Sequence, residues 1–514
     1  MSLAAPGLLL PVLLYVPLFL ASGVILCHVL PYYWDRPALK SYPGPWLAKF
    51  SRIWLGRVAR GGERYKVIHQ AHLKYGRFVR IAPDELSIAD ADAIQPVLGH
   101  GTGTTKSEFY DAFVSIHRGL FNTRDRADHT RKRKLVANTF SQQNVLEFEP
   151  YIASSITAFL NQWDRLCKLG VKESQGWHTF DCLPWLNFLA FDIIGDLAFG
   201  EPFGMIERGE DYAEVEPENG GKLLHLSAAK ILNVRGEFSM AQGCLPSWMR
   251  RVTPYLDPWY ARGAASVENL AGIARNRVKK RLEGGAQDRK DLLARLHEGK
   301  DANGNPMGRD ELTAEALTQL IAGSDTTSNS SCAILWWIVK HPEVHRKLLD
   351  ELNRRLGSSL GAVTFDECKD LEYLNACINE ALRCHSTSSI GLPRIMATDV
   401  NFKGHLLKKG TIVSVPTYDI HHDPEVWGDP WTFRPERWLK PDSKELERAY
   451  MPFSFGPRSC VGRNVAILEL KMIISTLILR YDFQLVDTNC DELETREGFL
   501  RKPLNFFVRI KRRV

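Results

Sequence analysis

The chain has 514 residues, of which 44% are hydrophobic, 25% charged and 10% aromatic, which excludes a disordered, collagen-like or low-complexity protein. Its 66 basic and 60 acidic residues leave a formal charge of +6, too mild to point to nucleic acid. Its 10 cysteines contain no C-x-x-C pair, which argues against a zinc ribbon, a ferredoxin-type cluster or a secreted disulfide scaffold, and reduced thiols suit a protein facing the cytosol.

Residues 8–30 form an apolar run interrupted by Pro11, Pro17, small residues and His28, and no charged side chain precedes Asp35. As a helix the run would span roughly 35 Å, enough to cross a bilayer, and prolines are tolerated in such spans. A cleaved signal peptide fits less well, because the basic leader is missing and the run is too long. Arg36, Lys40, Lys49, Arg52, Arg57 and Arg60 follow, so the bulk of the chain is expected on the cytoplasmic side. The organisation expected is an anchor over 1–34, a basic, proline-rich hinge over 35–50 with Tyr42-Pro43-Gly44-Pro45-Trp46 at its centre, and a single domain over 51–514.

Strand-like runs at 78–81 and 86–89 flank a Pro83-Asp84 turn. Helical periodicity is expected over 142–168, 184–199, 265–297, 309–340 and 462–481, with extended runs at 400–402, 411–415, 483–486 and 506–510. The fold class expected is mainly α with small β-sheets.

Two segments break local rules. Within 309–340, the run Gly323-Ser324-Asp325-Thr326-Thr327-Ser328-Asn329-Ser330-Ser331 places poor helix formers inside an apolar frame. Its hydroxyls can bond back to carbonyls one turn earlier and open the helix, and such a conflict marks a functional site. In Phe453-Ser454-Phe455-Gly456-Pro457-Arg458-Ser459-Cys460-Val461-Gly462-Arg463, a glycine- and proline-containing loop delivers one cysteine to the start of an apolar helix. The helix dipole there would favour thiolate, and Gly456 and Gly462 would let something large and flat approach the backbone.

These residues resemble the cytochrome P-450 superfamily. Phe453, Gly456, Arg458, Cys460 and Gly462 match its haem-binding loop, Glu380 and Arg383 its E-x-x-R pair, Arg437 the third member of that charge cluster, and 322–327 its oxygen-activation stretch. The resemblance implies a P-450 fold with Cys460 as axial ligand of haem b, where a thiolate pushes electron density to the iron and favours O–O cleavage. It assigns Asp325 and Thr326 to the proton relay and Glu380, Arg383 and Arg437 to a structural network. By motif position, Arg458, Arg394 and Arg133 are candidates for the haem propionates, and His129 stands where many members carry tryptophan. Part of the run Arg131-Lys132-Arg133-Lys134 is expected to dock an acidic reductase. The pair His421-His422 lacks metal-ligand partners at suitable spacing and reads as loop.

Segments 109–126, 191–199, 315–328, 386–394 and 494–504 resemble more narrowly the fungal benzoate 4-hydroxylases. That implies insertion of one oxygen of O2 into a small aromatic carboxylate, with NADPH electrons from a cytochrome P-450 reductase at the endoplasmic reticulum membrane. A flat anion needs carboxylate donors far from the iron. The hydroxyl cluster Ser386, Thr387, Ser388 and Ser389 offers them, with Tyr110, Ser115, His117 and Arg118 as alternatives. Other readings are a different small aromatic substrate, a haem-thiolate isomerase or dehydratase, and a haem-binding sensor.

Overall fold

A 32-residue helix, Arg309–Lys340, runs through the molecule and organises the rest around it. The computed structural model describes residues 6–35, 38–169, 176–284, 291–301, 304–357, 361–441 and 443–513. The chain is mainly helical with small sheets, as its periodicity predicts. The expected helices stand at Glu149–Leu169, Leu183–Phe199, Pro258–Glu283 with Leu292–His297, Arg309–Lys340 and Arg463–Arg480. Part of the run expected over 265–297, residues 285–290, lies outside the described residues.

Helix Pro6–Trp34 leads the chain. Within it Tyr15–Trp34, with mean hydropathy 1.6 and nothing buried, is the one stretch among the described residues long and apolar enough to cross a membrane. Arg36 of the basic flank lies outside the described residues. The proline-rich stretch is docked on the domain, unlike a free linker. Leu39 and Tyr42 are buried in a core cluster with Leu86 and Val413, and the Arg80 amide donates to the Pro43 carbonyl at 2.8 Å.

The central helix packs against Leu183–Phe199 and Arg463–Arg480 in the largest apolar core. Gly323 is needed for the first of these contacts, since a Cβ there would lie 2.5 Å from the Ile194 side chain. The run of hydroxyl-bearing residues does not open the helix, which is continuous throughout. Ser324 and Thr326 do bond back, to the Leu320 carbonyl at 2.7 Å and the Ala322 carbonyl at 2.5 Å, without breaking it. The tightly packed flanks, including buried Trp336 and Leu320, hold the helical geometry against local preference.

The largest sheet has five short strands in the order Phe78–Ala82, Glu85–Ile88, Ile412–Ser414, Arg394–Ile395 and Thr105–Lys106. Its last pair is antiparallel and sets Lys106 directly opposite Arg394. A three-stranded sheet joins Tyr481–Leu485, Phe507–Arg512 and His178–Asp181. A hairpin of Thr495–Glu497 with Arg501–Pro503 carries Lys502 to the central helix.

Candidate functional site

The loop 453–462 is shaped by its own backbone. The Cys460 amide donates to the Phe453 carbonyl at 2.9 Å, closing the loop. Gly456 has φ +71°, and a Cβ there would lie 1.9 Å from the Leu98 carbonyl oxygen. That glycine therefore makes room for the protein's own chain, in contrast to the flat ligand expected there. Beside the sulfur, a Cβ on Gly462 would meet only Cys460 Sγ, at 4.0 Å. Cys460 is exposed, yet burial among surrounding atoms pushes its thiol pKa up. The loop thus leaves the cysteine uncovered while crowding it with its own backbone.

The expected thiolate preference is not supplied by the polypeptide. Burial outweighs the Gly462 amide and the Arg133 and Arg463 guanidiniums, which pull the other way. The helix starts at Arg463, three residues past the cysteine, so the strongest dipole field falls short of it. A metal cation bonded to the sulfur would reverse the balance.

On the central helix, Ala322 is exposed and Gly323 and Thr326 are half-buried in an otherwise buried stretch. With Gln319, one turn earlier, these residues share one face by their spacing of three and four. Asp325 leaves that face. Its Oδ2 pairs with Lys502 Nζ at 2.6 Å, and its Oδ1 accepts from Asn329 at 3.0 Å. In this arrangement the Asp325 carboxylate is paired with Lys502, while the Thr326 hydroxyl is turned to its own helix. Asp325 lines a polar pocket of about 30 Å³ with Asn187, Asn233 and Lys502.

A knot of cations lies beside the cysteine loop. Arg133 donates to the Ser459 carbonyl at 2.5 Å, and Arg458 to the Thr123 and Arg124 carbonyls at 2.8 and 3.2 Å. Arg394 is buried, donates to the Tyr110 hydroxyl and leaves Nη2 unpartnered. Lys106, which the sequence reading missed, is buried with its ammonium on the Phe121 carbonyl. Burial and then the neighbouring Arg394, Arg458 and Arg133 hold its pKa well below the usual value. Burial and the same cations take His129 down to about 3. No carboxylate pairs with Lys106, Arg133 or Arg394 among the described residues. A double anion would cure this repulsion, and Arg394 Nη2 already waits for an acceptor. The residues thus fit a haem, with Cys460 for the iron and Lys106, His129, Arg133, Arg394 and Arg458 for two propionates.

Nearby, Glu380 accepts from Arg383 on both oxygens, at 2.9 and 3.0 Å, and from Arg437 at 2.9 Å and Trp438 at 2.9 Å. The whole cluster is buried and mutually satisfied. In the basic run, Arg131 is tied to Asp128 and Glu311, Lys132 is buried against Glu311 and Glu315, and Arg133 turns to Ser459. Lys134 alone of the four is exposed. Three of the four are engaged by the protein's own groups, which leaves Lys134 as the part of the run presented outward.

The hydroxyl cluster after Arg383 resolves into three occupied groups and one open one. Ser386 donates to the Leu382 carbonyl and meets His421 Nδ1 at 2.8 Å, Thr387 meets the Ser330 hydroxyl at 2.9 Å, and Ser389 donates to the Ser386 carbonyl at 2.6 Å. Ser388 is half-buried and has no partner among the described residues. The Tyr110 hydroxyl accepts from Arg394 and keeps its own proton to donate, and Arg118 is paired with Asp111 at 2.7 Å. His117 is exposed, whereas Ser115 keeps a buried, unpartnered hydroxyl. His421 and His422 are buried structural groups: His421 accepts from the Met451 amide, and His422 bonds the Tyr418 carbonyl.

Comparison with known proteins agrees with this geometry. Residues 41–510 match the family described as Cytochrome P450. The chain is 49% identical to the benzoate 4-monooxygenase bphA of Aspergillus niger over 95% of its length and 96% of that protein's. It is 32% identical to the cytochrome P450 monooxygenase ORF9 of Penicillium roqueforti, covering 95% and 93%, and 31% identical to the trichothecene C-15 hydroxylase of Fusarium sporotrichioides, covering 91% and 93%. With the cysteine loop, the buried charge cluster and the family match in place over nearly the whole length, this chain belongs to the cytochrome P450 family of haem monooxygenases.

Proposed function

We infer that this protein hydroxylates benzoate at C4, taking NADPH electrons through a cytochrome P-450 reductase. Its N-terminal helix would hold it in the endoplasmic reticulum membrane with the catalytic domain on the cytoplasmic side. The observation that carries the substrate reading is the 49% identity, across nearly the full length of both chains, to a protein named for that reaction. The long apolar helix Tyr15–Trp34 supports the anchor.

When bound, haem supplies O2 activation and the oxygen inserted into the ring. The accessible Cys460 and the Thr326 face of the central helix would bound its pocket. The chain's own residues bind, orient and move protons. Arg394, Arg133, Arg458, Lys106 and His129 would hold the propionates and so fix the macrocycle's orientation. Thr326 donates its proton to the Ala322 carbonyl, which leaves its oxygen able to accept a hydrogen bond on the accessible face. Turning that hydroxyl away from the carbonyl would let it hand its own proton on and be reprotonated from the side it accepts from.

The test is reconstitution with reductase, NADPH, O2 and benzoate, with chromatographic identification of the product. 4-Hydroxybenzoate formed only when all components are present is the expected result. Hydroxylation of a different aromatic acid with benzoate untouched would replace the substrate, and turnover without NADPH or O2 would replace the reaction class by an isomerase or dehydratase.

A further inference from the structure

The helix Ala228–Cys244 carries a buried cation that the mechanism above does not use. Arg235 is 5% exposed, and its Nη2 donates to the Phe113 carbonyl at 3.0 Å while its guanidinium lies 5.5 Å from the centre of the Phe113 ring. Its Nε is buried without a partner, and Nη1 meets no acceptor among the described residues. No carboxylate stands within ion-pair distance of it among the described residues. The acid that acts on it electrostatically is Asp325, beside Thr326, but both oxygens of Asp325 are engaged by Lys502 and Asn329. Burial has lowered the guanidinium to about 10.

Two further open hydroxyls accompany it. Ser239, one turn on along the same helix face, is fully buried with its Oγ unpartnered. Ser115, two residues past the Phe113 carbonyl that Arg235 grips, also has a buried, unpartnered Oγ. A buried guanidinium is tolerated when its charge is matched and its fork of donors is filled, and a carboxylate does both at once. Here the fork is half filled, with one open hydroxyl a turn further along its own helix and another two residues past the carbonyl it grips.

We propose that Arg235, flanked by Ser239 and Ser115, is the clamp that holds the carboxylate of a small aromatic acid. Gripped there, a rigid ring acid presents its opposite end to the reacting centre, so the clamp sets para selectivity by distance from the oxidising face. This rests on the aromatic-acid reading of the previous section and adds to it the residues that enforce it.

The test uses the purified, full-length holoenzyme and the change in haem spin state on titration with benzoate and with its neutral isostere benzamide. Arg235→Met is expected to weaken benzoate on the order of 100-fold, and benzamide less than about threefold. Ser239→Ala is expected to weaken benzoate by about tenfold or less. A strut that merely supports the Phe113 loop would move both ligands alike, and that outcome, or unchanged benzoate affinity in Arg235→Met, overturns the clamp. If Arg235→Met fails to retain haem, Arg235→Lys replaces it, with a loss of about tenfold for benzoate and none for benzamide as the expectation and equal losses as the refutation. If wild type ignores benzoate but binds another aromatic carboxylate in an Arg235-dependent way, the clamp stands and the benzoate assignment falls.

Discussion

At the scale of single residues, the site is defined by groups whose ordinary partners are missing. Cys460 is left exposed at the mouth of its loop, whereas seven of the other cysteines are buried. Cys460→Ser is expected to abolish the thiolate-type optical band of the reduced carbon monoxide complex, and an unchanged band would remove Cys460 as ligand. Thr326 is the hydroxyl on the accessible face, since Asp325 is locked to Lys502. Thr326→Ala should lower product formed per NADPH by at least about tenfold and release peroxide instead. Full coupling in that variant would end the relay role. Lys106 gives a test with two signs. Its buried ammonium repels Arg394, Arg458 and Arg133, so Lys106→Met should raise the melting temperature of the haem-free protein. The same change removes a propionate partner and should speed haem loss to a scavenger protein by about tenfold. Faster loss without apo stabilisation would place Lys106 outside the cation knot.

At the scale of elements, the helix Arg463–Arg480 joins the cysteine loop to the central helix through one hydrogen bond, from the Thr327 hydroxyl to Glu469 at 2.8 Å. Glu469 is buried with no cation beside it among the described residues, and burial lifts its pKa from 4.5 to about 7. The sign follows: the folded state holds this proton longer than the unfolded chain, so the contribution to stability is full below about pH 4.5 and lost as pH rises through about 7. The loss across that window is on the order of 3 kcal/mol. Glu469→Gln should flatten the fall of melting temperature between about pH 5 and 8, and a profile parallel to wild type would show that Glu469 is ionised throughout. These helices were legible in the sequence because each is long and strongly periodic. Ala228–Cys244 was not, because its second half, from Phe238 on, is buried on every side and it carries Gly236 and Gly243, which erases the contrast between faces that periodicity detects. With it went Arg235, a cation that no motif marks. Lys106 was hidden for another reason: its position opposite Arg394 is created by pairing of two-residue strands nearly 290 residues apart. The loop, the E-x-x-R pair and Thr326 were readable because their chemistry is local. The inward use of Arg131–Arg133 was not, since it depends on Glu311 and Glu315 from a distant helix.

At the scale of the molecule, the question is where the anchor ends and the domain begins. The proline-rich segment belongs physically to the domain. Leu39 and Tyr42 are buried, Gly44 lies so close to the Arg80 carbonyl that a Cβ would stand 2.2 Å from its oxygen, and Arg80 bonds Pro43. The apolar helix before it contributes nothing buried over Tyr15–Trp34. Two truncations should therefore behave differently. Removing residues 1–31 deletes most of the exposed helix and leaves Tyr32 against Phe50, the Asp35 carboxylate on the Leu39 amide and every core contact of Leu39 and Tyr42 in place. That protein should move from the membrane pellet to the soluble fraction with its melting temperature unchanged within about a degree. Removing residues 1–50 also strips Leu39 and Tyr42 from the core, each worth roughly 1.5–3 kcal/mol. It should be soluble too, but melt several degrees lower, the shift expected for such a loss in a domain of this size. Equal melting temperatures for the two forms would mean that the segment is a tether after all, and persistent pelleting of the shorter deletion would move membrane attachment from the helix to the surface of the domain.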